Sequence, residues 1–278
     1  MSLNPRIAKT TARAASLGGF GRLWTEAALR RGDKVAATAR DTTILSDLSE
    51  KFRGNVLPLE LDVTNPDAVG VTVNQAHRHF GRLDVILTNA GYGLMGALEE
   101  TTIEEARANF DTNVFGTFST IKSALPLLRA QRRGHILAVS SVGGLVTFPM
   151  ASIYQATKFA VEGLIQSLAQ EVSAFGIKVT LIEPGPFKTD FISSTSLKNT
   201  KPIAAYDPVR ELAARMLTPE MFGDPRTTSD TILRVVDAEE PPLHVILGSL
   251  LPLVKQAYAA RVESWQRWDD GSGGLHAA

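Results

Sequence analysis

Apolar residues along the chain come in two alternating patterns. Short runs rich in Val, Ile, Leu and Ala are followed by longer stretches with apolar residues three and four apart. The short runs are Lys34–Ala39, Asn55–Leu61, Leu83–Asn89, Gly134–Ser140, Lys178–Glu183 and Leu243–Gly248. Most are apolar almost throughout, as strands covered on both faces are. The longer stretches predict helices over Gly21–Arg31, Asp67–Phe80, Thr101–Arg132 and Tyr154–Phe175. Thr101 and Glu104 have the spacing of a capping box, and Gly176 ends the last of these helices. Strands that alternate with helices predict a doubly wound parallel sheet in three αβα layers.

Neither repeats nor a break in composition divide the chain, so residues 1–268 read as one domain and 269–278 as a disordered tail. Residues 190–225 leave the rhythm. They are polar and rich in proline, with a helical piece at Asp207–Leu217. They follow a strand end, where open α/β sheets bind ligands, and so suggest a substrate lid.

Charge and composition narrow the functions. Lys plus Arg and Asp plus Glu number 29 each, so no net field attracts nucleic acid or an acidic membrane. The 278 residues contain no cysteine, which removes disulfides and thiolate metal sites and fits a cytoplasmic protein. No run approaches the ~20 apolar residues of a membrane span, and no signal peptide is expected at the N-terminus. His77 and His79 are two apart on a predicted helix and so on different faces, which argues against a metal hydrolase.

The candidate chemistry centres on Tyr154-Gln155-Ala156-Thr157-Lys158. Tyr154 and Lys158 share one helical face. An ammonium near a phenol favours the phenolate, and a phenol tuned that way can exchange a proton with a carbonyl oxygen. Ser141 follows a strand end and can hydrogen-bond the same oxygen. Asn113, a mediocre residue for a helix interior, is either a solvent-facing position or the holder of a relay water near Lys158. Pro184-Gly185 forces a turn after another strand, with Thr189 available to a ligand.

Gly19-Phe20-Gly21, Asp62, Asn89-Ala90-Gly91, Asn113, Ser141, Tyr154, Lys158, Pro184-Gly185 and Thr189, in that order and spacing, resemble the short-chain dehydrogenase/reductase family. The resemblance covers roughly Gly19 to Gly248. It implies a Rossmann-type fold and NAD(P)-dependent hydride transfer between an alcohol and a ketone or aldehyde. It also implies that Tyr154 is the general acid/base and that Ser141 orients the carbonyl. Lys158 would bind the nicotinamide ribose, and Asn113 would support the proton relay. Asp62, Val63 and the Asn89–Gly91 turn would line the adenosine end of the cofactor. Family habit adds a homodimer or homotetramer.

Two positions shape the cofactor reading. Where NAD-using relatives carry an acidic residue after the second strand, this chain has Ala39 and then Arg40. A guanidinium there can grip a 2′-phosphate, so NADP(H) is expected over NAD(H). Upstream, the family's Thr-Gly pair is replaced by Ala14-Ala15, or by Arg13-Ala14 with one inserted residue. The run Lys9–Arg13 is also poor in apolar residues for a central strand. Three outcomes follow: the strand forms, Arg6-Ile7-Ala8 replaces it, or it is displaced. Displacement would favour a different class of protein, a dinucleotide-binding sensor with little turnover. Leu145, Phe187 and Phe191 are the candidate walls of an apolar substrate pocket, with Phe148 and Met150 beside them.

Overall fold

The computed structural model describes residues 10–14, 19–189 and 196–269, the first of these segments by its backbone alone. Seven parallel strands form one sheet: β1 (Thr10–Ala14), β2 (Lys34–Ala39), β3 (Val56–Glu60), β4 (Val85–Thr88), β6 (Gly134–Val139), β7 (Ile177–Pro184) and β9 (His244–Leu247). Their order is β3-β2-β1-β4-β6-β7-β9. Two three-residue strands, β5 (Gly93–Met95) and β8 (Leu197–Asn199), pair separately.

The first strand forms, in the centre of the sheet. Thr10–Arg13 pair with Lys34–Ala37 on one side, and Thr11–Ala14 with Val85–Thr88 on the other. The weak apolar signal of this segment is overridden by two strongly apolar neighbours that need a ladder between them. Lys9 and residues 15–18 lie outside the described residues, as do Phe191 and residues 270–278 of the tail.

Side chains leave alternate faces of each strand and build two cores. On one face, Ile86, Ile136 and Leu181 pack with Val69 and Val73 of α3 (Pro66–Phe80), Ile121 and Leu128 of α5 (Gly116–Gln131), and Val161 and Ile165 of α6 (Ser152–Val172). On the other, Val85, Leu87, Leu137 and Ile182 pack with Trp24 of α1 (Phe20–Arg30) and Ile232 and Val235 of α8 (Ser229–Asp237). Each such side chain, fully buried, is worth about 1.5–3 kcal/mol. Helix α2 (Ser46–Lys51) closes the β2 end through Leu48, and α9 (Leu251–Trp268) covers the far end through Val254.

Three local features correct the sequence reading. The capping box is Thr102 with Glu105, one residue later than expected, and it opens α4 (Ile103–Phe110). The helix expected over Thr101–Arg132 is interrupted by a π turn at Asp111–Phe115, and Asn113 is on that turn. Within residues 190–225 the expected helical piece is α7 (Asp207–Met216), and an unexpected strand, β8, ties the segment to β5.

Candidate active site

The sheet order reverses between β1 and β4, which opens a crevice at the carboxyl ends of the strands. The residues singled out by the sequence gather there. Ser141 follows β6, Pro184-Gly185 follows β7, and Asn89–Gly91 follow β4. Tyr154 and Lys158 come from the first turns of α6.

Ser141 is held by the turn it starts. Its hydroxyl accepts from Gly143 N at 3.0 Å and lies 3.4 Å from the Pro184 carbonyl. The same hydroxyl hydrogen-bonds the Tyr154 phenol. Lys158 is 5 % exposed. Its ammonium donates to the Val139 carbonyl at 3.0 Å and lies 5.8 Å from the Tyr154 ring centre. Burial pulls the lysine down to about 8, against the opposing charge of Glu162.

The phenol behaves differently from expectation. Burial pushes it up to about 12, and the Ser141 hydrogen bond opposes that only in part. The lysine was expected to lower it, but burial dominates. With the chain's own groups alone, Tyr154 keeps its proton at neutral pH.

Asn113 is buried rather than solvent-facing, at 1 % exposure. Its Nδ2 donates to the Tyr92 carbonyl at 3.1 Å and to Thr157 Oγ1 at 3.0 Å, and its Oδ1 accepts from Tyr92 N at 3.0 Å. The side chain is therefore spent on tying the Asn89–Tyr92 turn to α6. A π turn, common at functional sites, is what aims it inward.

The cofactor-end residues are arranged as follows. Gly19 has φ +69° and ψ −131°, a conformation that suits glycine alone, and a Cβ on it would come within 3.2 Å of the Thr189 Cβ. Among the described residues no side chain caps α1, and its start at Gly19 and Phe20 lines the crevice. A cleft of about 520 Å³ opens there, lined by Gly19, Arg22, Leu23, Lys188, Thr189 and the ion pair of Arg226 with Asp224. A Cβ on Gly91 would stand 3.0 Å from Asn113 Oδ1 and 3.7 Å from Lys158 Nζ, so the bare backbone lets this turn pack directly against both side chains. Asp62 caps its own turn by accepting from Thr64 N and Oγ1, with the exposed Arg40 close enough to lower its carboxyl further. Val63 is buried against Gly116. These features fit a dinucleotide: a helix N-terminus for phosphates, glycines where the backbone must be bare, and cations nearby.

A second cavity of about 500 Å³ adjoins Ser141, Tyr154 and Lys158. Its walls are largely apolar, with Met95, Phe148, Met150, Phe187, Met216 and Phe222 among them. Leu145 is not one of them. It packs with Val142, Val146, Leu250 and Val254 in a satellite core under α9, because its turn points the side chain away from the crevice. Phe187 does line the cavity, and it also packs edge-on against Phe20 at 5.2 Å.

Two structural residues escaped the sequence reading. Gln155, inside the Tyr154–Lys158 motif, holds the wall residue Phe148 by both backbone groups, at 3.0 and 2.8 Å. Glu100, with 0 % side-chain exposure, accepts from Arg210 at 2.6 Å, Ile203 N at 2.7 Å and Ala97 N at 2.8 Å. It clasps the lid helix α7 to the body. Neither has a sequence signal beyond being polar in an apolar context.

A model of the short chain dehydrogenase family matches residues 13–200. The chain belongs to that family and is one of its oxidoreductases. It is 39 % identical over 233 residues to Oxidoreductase BOA17 of Botryotinia fuckeliana, covering 83 % of this chain and 85 % of that one. It is 35 % identical over 266 residues to the 3-ketodihydrosphingosine reductase of Bacteroides thetaiotaomicron, covering 95 % and 94 %. Among solved structures, a short-chain dehydrogenase from Streptomyces avermitilis superposes with a TM-score of 0.87 at 34 % identity, covering 98 % of this chain and 100 % of that one.

Proposed function

We propose that the chain is an NADP(H)-dependent reductase that converts an apolar ketone or aldehyde to its alcohol, with Tyr154 as the general acid. The observation that carries this reading is the Tyr154 phenol, hydrogen-bonded to Ser141 and close to Lys158, at the wall of an apolar cavity. When bound, the nicotinamide supplies the hydride. Gly19, Phe20 and Gly21 would hold the diphosphate through backbone N–H groups, and Arg40 the 2′-phosphate. Asp62, Val63, Asn89, Ala90 and Gly91 would line the adenosine end. Lys158, Pro184, Gly185 and Thr189 would face the nicotinamide riboside.

Ser141 and Tyr154 would donate to the substrate oxygen, and Tyr154 would pass its proton as negative charge develops there. In the reverse direction Tyr154 must first lose its proton, which burial opposes. Asn113 acts by fixing the turn and helix that frame the site. Phe187 and the lid residues Met216 and Leu217 would exclude water.

The cavity walls, and the likeness to a reductase of a long-chain keto lipid, support a long-chain or multi-ring carbonyl compound as substrate. Exposed Ile103, Phe115 and Phe118 along α4 and α5 support self-association through that face. Among the described residues, no helix is long and apolar enough to cross a membrane.

Titration with NADPH and NADH tests the cofactor half of this reading. NADPH is expected to bind at least about tenfold more tightly, and Arg40→Asp to reverse the order. Equal affinities would contradict it. Carbonyl-dependent consumption of NADPH across a panel of apolar ketones tests the chemical half.

A further inference from the structure

Glu162 stands one helical turn beyond Lys158, so Tyr154, Lys158 and Glu162 form a row along one face of α6. Lys158 and Glu162 are both almost fully buried, at 5 % and 4 % exposure. The turn behind Ser141 presses directly on this pair. A Cβ on Gly144 would lie 2.8 Å from Ser140 Oγ, 3.0 Å from Glu162 Cγ and 3.0 Å from the Lys158 carbonyl oxygen. Nothing larger than glycine fits there, so the carboxylate, the lysine turn and the serine turn are one packed unit.

The unit extends to the surface. Glu183, on β7 just before Pro184, is buried, and its Oε2 has no hydrogen-bond partner among the described residues. His244, on β9, has Nδ1 2.6 Å from Glu183 Oε1 and 3.9 Å from Glu162 Oε2. Its side chain is 43 % exposed, so the imidazole is open to solvent on one side while its Nδ1 faces two buried carboxylates. The groups facing Glu162 are therefore Lys158 and Gln166 on its own helix, Ser140 at the end of β6, Glu183 on β7 and His244 on β9.

We propose that Glu162, backed by Glu183 and His244, is a positioning residue that keeps the neighbouring Lys158 ammonium charged and couples that charge to solvent through His244. The claim rests on Lys158 serving the reaction proposed above. The titration ranges agree with the geometry. Burial, with Glu183 adding to it, pushes Glu162 up to about 7, while Ser140, His244 and Gln166 oppose the rise. Burial pulls Lys158 down to about 8, and the Glu162 charge is what resists that fall. As pH rises through 7, Glu162 becomes an anion just below the range in which Lys158 would lose its proton. The carboxylate thus extends the alkaline range over which the lysine stays charged.

The direct test is the titration of Lys158 in protein carrying 13Cε-labelled lysine, followed by NMR without substrate. Glu162→Gln is expected to lower the Lys158 midpoint by roughly one unit, and the alkaline limb of the reductase pH profile should retreat by the same amount. His244→Gln alters only a half-exposed side chain and covers the case in which Glu162→Gln fails to fold. It should move the Lys158 midpoint in the same direction by less, because His244 is one of the groups that oppose the rise of Glu162. An unmoved Lys158 midpoint in a folded variant overturns the proposal. So does a rise in melting temperature on adding zinc that is lost in Glu162→Gln, since the cluster would then be a cation site. Failure of the underlying reading is seen separately, as carbonyl turnover that survives Tyr154→Phe.

Discussion

Tyr154, Lys158 and Ser141 were legible from the chain because helical spacing and strand ends fix where such side chains point. Their protonation was not legible. The rise of Tyr154 comes from burial by residues far apart in the chain, and the Lys158 ammonium finds its acceptor nineteen residues away, at the Val139 carbonyl. Asn113 shows the same limit. Its residue type hinted at a role, but only the π turn decides that it points inward and meets Tyr92 and Thr157. One of its three hydrogen bonds is buried and two are partly buried, so deleting the amide leaves the Thr157 hydroxyl and both Tyr92 backbone groups short of a partner. Asn113→Ala is expected to cost about 2–4 kcal/mol of unfolding free energy, measured in urea, together with most of the activity. A loss below about 0.5 kcal/mol would mean that water replaces the amide.

Among the elements, the apolar strands were placed to within about two residues, since parallel strands covered on both faces leave a continuous apolar signal. Helix α3 was equally plain: Asn65 caps it, Pro66 fits its first turn, and Gly81 ends it with φ +77°. The strands β5 and β8 were not foreseen. Three residues carry no periodicity, and each exists because the other pairs with it. Helix α9 was missed because only Val254 is buried along it, so it lacks a wide apolar face matched to a core. Residues 190–225 were recognised as an excursion, but the anchor of α7 was not. Glu100 is held at about 2 by the Arg210 guanidinium and two backbone N–H groups. A carboxyl lowered in the folded state contributes above its ordinary value near 4.5 and loses that contribution as pH falls toward about 2. The lid clasp therefore stays charged at any pH above about 5. Arg210→Met should raise KM for the carbonyl substrate about tenfold or more, with a smaller change in kcat. An unchanged KM would show that α7 closes the cavity without the clasp.

Across the whole molecule, the doubly wound topology was readable from rhythm alone, and it positions everything else. The reversal of strand order between β1 and β4 creates the crevice, and the turns after β4, β6 and β7 supply its floor. The first strand was the main uncertainty in the sequence, because Thr10–Ala14 offers little apolar surface of its own. Its place between β2 and β4 is dictated by its neighbours. With that strand in register, the reason to favour a sensor without turnover is reduced to the turn at residues 15–18, which lies outside the described residues. The central claim is that the crevice performs hydride transfer completed by a proton from Tyr154. Single-turnover oxidation of bound NADPH by an apolar ketone, wild type against Tyr154→Phe, tests it most directly. The rate in Tyr154→Phe should fall by about 10²–10⁴-fold while NADPH affinity stays within about threefold. A variant that turns over at the wild-type rate would contradict the assignment of Tyr154 and the mechanism built on it.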